Sequence, residues 1–102
     1  MKKARVLVCG SYAGLLEQLE HGEYRFMYSA GYEGPPVSLT MPVKKNSFEF
    51  DKFPPFFEGL LPEGEMLEAL LRKYKLDKKD YFGQLLKVGR DVVGAVSIEE
   101  VQ

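Results

Sequence analysis

The chain has 102 residues, enough for one small domain and too few for a second core. Its 14 Lys and Arg against 15 Asp and Glu leave a net charge of −1, which excludes a protein-wide basic field for nucleic acid but not a local patch. No apolar run approaches the ~18–20 residues of a membrane span, and a single cysteine excludes an internal disulfide.

The catalytic inventory is thin. One histidine, His21, and one cysteine, Cys9, cannot make a zinc site of the usual kind, so no metal and no cofactor is expected. His21 sits in His21-Gly22-Glu23, a solvated turn. Cys9 ends an apolar run and reads as a small buried hydrophobe. Ten glycines build neither a phosphate loop nor a dinucleotide fingerprint. Met1-Lys2-Lys3 precedes an apolar run too short for a signal peptide, and the expected setting is the reducing cytoplasm, with no membrane partner.

Residues 4–9 read as a strand closed by Gly10, with Gly10-Ser11-Tyr12-Ala13-Gly14 as a turn. Residues 13–19 complete a hairpin, although Leu15, Leu16 and Leu19 also fit helical spacing. Residues 24–28 alternate, with Tyr24, Phe26 and Tyr28 on one face and Arg25 and Met27 on the other. A loop over 31–36 leads to Val37-Ser38-Leu39-Thr40-Met41, read as a strand ended by Pro42. Phe48, Glu49 and Phe50 alternate again.

The second half changes character. Pro62 suits a first helical position. Glu63 and Glu65 follow in the first turn and Arg72, Lys73 and Lys75 in the last, as the helix dipole favours. Met66, Leu67, Leu70, Leu71 and Tyr74 form one apolar face. Gly64 reads as a mildly weak interior position. Asp77 is the expected N-cap of a second helix, with Tyr81, Phe82, Leu85 and Leu86 on its apolar face and Gly89 at its end. Residues 92–98 read as a closing strand that pairs with the first-half sheet. The expected fold class is α+β: residues 1–102 form a single domain, a small antiparallel sheet or partly closed β-barrel of short strands, with two helices in the second half.

One segment exceeds ordinary patterning. Residues 53–64 hold three Phe, two Leu and three Pro. They can be a rigid connector that plugs the core, or an apolar surface rimmed by acids and displayed to a protein partner. The candidate contact residues are Phe53, Phe56, Phe57, Glu58, Leu60, Leu61, Glu63, Glu65 and Met66, with no catalytic residue among them. Two rival readings stand beside this. Arg72, Lys73, Lys75, Lys78 and Lys79 form a basic cluster that could touch DNA inside a larger complex. The acidic cluster Glu58, Glu63, Glu65 and Glu68 could do acid–base work if held in a cleft.

The same segment resembles a known family. Phe56-Phe57-Glu58-Gly59-Leu60-Leu61-Pro62-Glu63-Gly64 is similar to the PFFxxLLPE motif of HipA-type serine/threonine kinases, in their N-terminal subdomain. Asp80-Tyr81-Phe82-Gly83-Gln84-Leu85-Leu86 resembles the family's D-x-F-x-LL helix. Gly89-Arg90-Asp91-Val92-Val93-Gly94-Ala95-Val96 resembles its GRDCVGAV signature, with Val92 where Cys is usual. Val37-Ser38-Leu39-Thr40-Met41-Pro42-Val43 is similar to SLSLPL, and Tyr24-Arg25-Phe26-Met27-Tyr28 to an FxY strand.

A HipA kinase continues past this signature into the nucleotide loop and catalytic Asp that phosphoryl transfer needs; the 102 residues here carry neither. The resemblance implies a HipS-like component of a tripartite HipBST-type toxin–antitoxin system. Such a component is non-catalytic, binds a truncated HipA-like Ser/Thr kinase and inhibits it. The alternative is a stabilising or scaffold subunit that contributes to transcriptional autoregulation. A HipB-like DNA-binding protein would join through a ternary complex, without autonomous nucleic-acid binding by this chain.

Overall fold

A computed structural model describes residues 2–89 and 95–101. Five strands, β1 (Lys3–Val8), β2 (Ser11–Gln18), β3 (Tyr24–Tyr28), β4 (Ser47–Phe50) and β5 (Val96–Glu100), form one sheet in the order β4-β3-β2-β1-β5. Every neighbouring pair is antiparallel. The sheet is open: β4 and β5 are its edges, and no pairing between them closes a barrel among the described residues. Three helices, α1 (Pro55–Glu58), α2 (Gly64–Tyr74) and α3 (Tyr81–Val88), lie between β4 and β5 in the chain.

The alternation of side chains makes one face of the sheet the core. Ala4, Val6 and Val8 of β1, Leu16 of β2, Tyr24, Phe26 and Tyr28 of β3, Phe48 of β4 and Ile98 of β5 are all buried. Leu15 pairs with Arg5 and Met27 on the opposite face, so the leucines of β2 alternate as strand residues and do not share a helical stripe. Where β2 crosses β3, Gly14 has no substitute. A Cβ there would lie 2.4 Å from the Met27 carbonyl oxygen and 2.8 Å from the Phe26 ring.

Onto the apolar face pack Phe53, α1 and α3. The Tyr24 ring meets Phe53 edge-on at 5.2 Å and stacks on Phe82 at 5.9 Å, and Phe57 lies 6.1 Å from Phe26. Gln84 is buried but satisfied: its Nε2 donates to the carbonyls of Asp77 (3.3 Å) and Lys78 (3.0 Å). On the other face, buried Glu17 accepts from Arg25 at 3.1 Å and pairs with Lys3 at 3.7 Å.

Several local expectations are corrected. The β1–β2 turn is Cys9-Gly10 itself, with φ of +51° and +82°, the two left-handed residues of a mirror-image hairpin turn. Ser11–Gly14 is strand, and Cys9 is exposed on the turn, not buried. Residues 37–41 are not a ladder strand. Val37 and Met41 are both buried in the core on the two sides of a tight turn, whose backbone ladder is the single Ser38–Met41 bridge among the described residues.

Helix α2 starts at Gly64, not at Pro62, and Gly64 is no weak interior position. Its φ of +61° turns the chain into the helix, a conformation that costs other residues roughly 1–2 kcal/mol. The second-half helices number three among the described residues, because Pro55 opens a single turn, α1, inside the segment read as a connector. The N-cap of α3 is Asp80, whose Oδ1 accepts from the Gly83 amide at 2.9 Å; Asp77 instead accepts from the Lys79 amide, closing the preceding turn. The closing strand is Val96–Glu100, and residues 92–94 of the expected strand lie outside the described residues.

Candidate partner-binding surface

Residues 53–66 split into an inner and an outer set, and α1 makes the division. Pro54 and Pro55 fix the entry to a single helical turn, which aims Phe57 at the sheet. Phe57 is 0% exposed and Phe53 is 5% exposed, so both belong to the chain's own core and present no contact surface. The other seven candidates reach the surface. Phe56 is half-buried, its ring 5.2 Å from that of Phe57 and edge-on to it. Leu60 and Leu61 are half-buried against the core. Glu58, Glu63 and Glu65 are exposed, and Met66 is 75% exposed at the start of α2.

Three of these residues, Glu58, Leu61 and Glu63, border a groove of about 220 Å³ that the sequence does not reveal. Glu58, Leu61, Pro62 and Glu63 form one wall, Leu67 of α2 continues it, and Lys78, Tyr81 and Gln84 form the other. Lys78 brings a positive charge to a groove whose opposite wall is acidic. Among the described residues, Glu58, Glu63 and Glu65 have no ion-pair partner and are free for one outside the chain.

Helix α2 extends the surface. Its sequence forms one apolar face, yet not one residue of α2 is buried. Leu67, Leu70 and Leu71 are half-buried and Tyr74 is exposed. The Tyr74 ring lies between Lys73 and Lys87, whose ammonium groups are 5.3 Å and 5.1 Å from its centroid. Arg72, Lys73, Lys75, Lys78 and Lys79 are exposed at this end of the molecule. Periodicity does not reveal this exposure of α2, since an amphipathic stripe looks the same whether its own chain or another covers it.

Among the described residues no group of His, Cys, Asp and Glu is arranged to hold a metal ion, and no helix is long and apolar enough to cross a membrane. His21 projects into solvent from a short turn. Arg90 and Asp91 lie outside the described residues.

An open antiparallel sheet, helices packed on its apolar face and an outer surface of half-buried apolar residues with exposed acids define a small domain of α+β type. Residues 4–99 match the family model of the HipA N-terminal domain, and the chain belongs to that family. Its fold matches a solved structure of the N-terminal domain of HipA toxin with a TM-score of 0.79 and 30% identity, covering 100% of this chain and 94% of that one. An uncharacterized protein of Haemophilus influenzae is 33% identical over 100 residues, 98% of this chain and 93% of the relative. The "Putative kinase Y4mE" of Sinorhizobium fredii is 29% identical over 93 residues; the match spans 87% of this chain but only 22% of that protein.

Proposed function

We propose that this chain is a non-catalytic, antitoxin-like subunit, HipS-like in a HipBST-type system, that binds a shortened HipA-type serine/threonine kinase and restrains it. One observation carries the reading. The chain matches the HipA N-terminal domain from residue 4 to residue 99, while a kinase relative carries the same domain in 22% of its length. The segment this chain matches is part of a putative kinase, and a kinase body is the natural complement of such a domain.

Binding then replaces an intrachain contact, roughly 600–1,500 Å² in ordinary domain pairs, with an intermolecular one. Inhibition becomes dependent on concentration, which is what an antitoxin requires. Phe56, Leu60, Leu61 and Met66 supply the apolar contact, and Glu58, Glu63 and Glu65 form a rim that suits basic groups on the kinase. The exposed basic end of α2 and the loop after it is the part that would approach DNA when a HipB-like protein joins the complex.

The test is phosphoryl transfer by the kinase with and without this chain, using wild type and Met66→Asp. Activity falls as wild type is added in stoichiometric amounts, and Met66→Asp requires roughly tenfold more protein for the same effect. A kinase equally active under saturating wild-type chain overturns inhibition and leaves the stabilising subunit as the function.

A further inference from the structure

Leu39 has 94% of its surface in water, more than any other large hydrophobic side chain among the described residues. Single exposed leucines are common and by themselves say little. This one differs because its loop is built to keep it out. The chain between β3 and β4 returns to the core at Val37 and Met41, both buried. One side chain secures both returns: the buried Tyr28 hydroxyl accepts from the Val37 amide at 2.9 Å and donates to the Met41 carbonyl.

Between these feet three hydrogen bonds close the turn. The Met41 amide donates to the Ser38 carbonyl at 3.0 Å and the Thr40 amide to Ser38 Oγ at 3.2 Å, with the two hydroxyls 2.9 Å apart. Pro36 and Pro42 flank the unit and limit its backbone further. A flexible loop would fold its leucine onto nearby apolar surface. Here the feet are fixed and the turn is closed, so Leu39 stands on a stiff mount. The entropy of ordering such a side chain is spent in folding and not in binding.

We propose that Leu39 is an anchor that enters an apolar pocket on the kinase body bound by this chain. The proposal rests on the function proposed above and adds a second contact, carried by the β3–β4 loop, to the 56–66 surface. A second copy of the chain is the poorer receptor. Three clefts of the described surface each carry at least one charged side chain: Glu33 in one, Glu49 and Asp51 in another, Glu58, Glu63 and Lys78 in a third. None of these three is an enclosed apolar pocket for a leucine. The putative kinase relative, in which the matched segment is 22% of the protein, supplies the alternative: a far larger body with room for such a pocket.

The experiment uses the HipA-type kinase that co-purifies with the full chain from its source organism, identified by mass spectrometry and repurified as the probe. Its affinity is measured for wild type, Leu39→Met and Leu39→Asp, together with their thermal unfolding. Leu39→Asp binds about 100-fold more weakly and Leu39→Met within about threefold of wild type, while all three unfold at the same temperature. A photo-crosslinker at position 39 labels kinase peptides, and one at exposed position 20 does not. Equal affinity of wild type and Leu39→Asp overturns the anchor and leaves the function intact. Crosslinking of position 39 to a second copy of the chain overturns the kinase as receptor. Failure of wild type to bind any HipA-type kinase overturns both.

Discussion

Replacing Phe57 by alanine separates a core residue from a contact residue. Phe57 is 0% exposed, lies 6.1 Å from Phe26 and 5.2 Å from Phe56, and sits on the single turn that carries α1 against the sheet. Phe-to-Ala changes in cores cost about 3–5 kcal/mol, less where the surroundings collapse into the space. Collapse is limited here, because Pro54 and Pro55 hold the backbone before the turn and Phe53 anchors the chain ahead of them. The expected loss is therefore in the upper part of that range, about 4–5 kcal/mol, against the ~5–15 kcal/mol that holds a small domain together. Urea unfolding followed by far-UV circular dichroism reads it directly, since the chain has no tryptophan. Any loss of kinase binding by Phe57→Ala then tracks its unfolded fraction. A loss of stability below about 1 kcal/mol at an unchanged denaturant slope would refute the placement of Phe57 in the core.

Three further outcomes follow from particular contacts. Asp80→Ala destabilises by about 1 kcal/mol in chemical denaturation because it removes the α3 cap, and Asp77→Ala costs less than Asp80→Ala; the reverse order would return the cap to Asp77. Arg25→Ala leaves Glu17 with only the longer Lys3 contact and costs about 1–2 kcal/mol, reduced by Arg25's partial exposure, while the same change at exposed Lys44 is within about 0.5 kcal/mol. Burial raises the pKa of Tyr28 above 10.0, with the Val37 amide opposing the shift and Tyr32 adding to it. The neutral phenol is thus favoured by the fold. Its contribution to stability is complete below pH 10.0 and is lost as pH rises from there through the higher folded value. Melting temperature against pH therefore falls less steeply above about 10 in Tyr28→Phe than in wild type; equal slopes would show that Tyr28 is solvated.

The sheet was legible because its signals are local. Tyr24, Phe26 and Tyr28 alternate with Arg25 and Met27, and all three aromatics are buried. Val37–Met41 has the composition of a strand, but its fate depends on Tyr28, nine residues or more away, whose hydroxyl gathers both ends. The contact segment was legible as a whole and not residue by residue. Phe53, Phe56 and Phe57 are equally apolar, and only the rotation of α1 about its axis decides that Phe57 faces Phe26 while Phe56 stays half-buried. Asp77 and Asp80 are both capable caps three residues apart. Gly83, which donates to Asp80 and whose Cβ position would lie 2.4 Å from its carboxylate, selects the second.

Helix α2 ties the fold to the proposed function most closely. Isolated helices shorter than ~12–15 residues are marginal in water, and α2 has 11 residues with none buried. Its own dipole complements, Glu65 in the first turn and Arg72 and Lys73 in the last, contribute only tenths of a kcal/mol each. Helix α3 is shorter, at eight residues, but buries Phe82, Gly83, Gln84 and Leu85 against the sheet. The two helices should therefore differ sharply in hydrogen exchange: α3 amides open with the whole domain, and α2 amides open locally and much sooner. Bound to the kinase, α2 should become as protected as α3, because the partner then supplies the burial that its own chain withholds. If α2 exchanges as slowly as α3 in the protein alone, its Leu67, Leu70 and Leu71 face is already covered in solution. A partner would then have to displace that cover, and α2 could not belong to the free surface offered to the kinase.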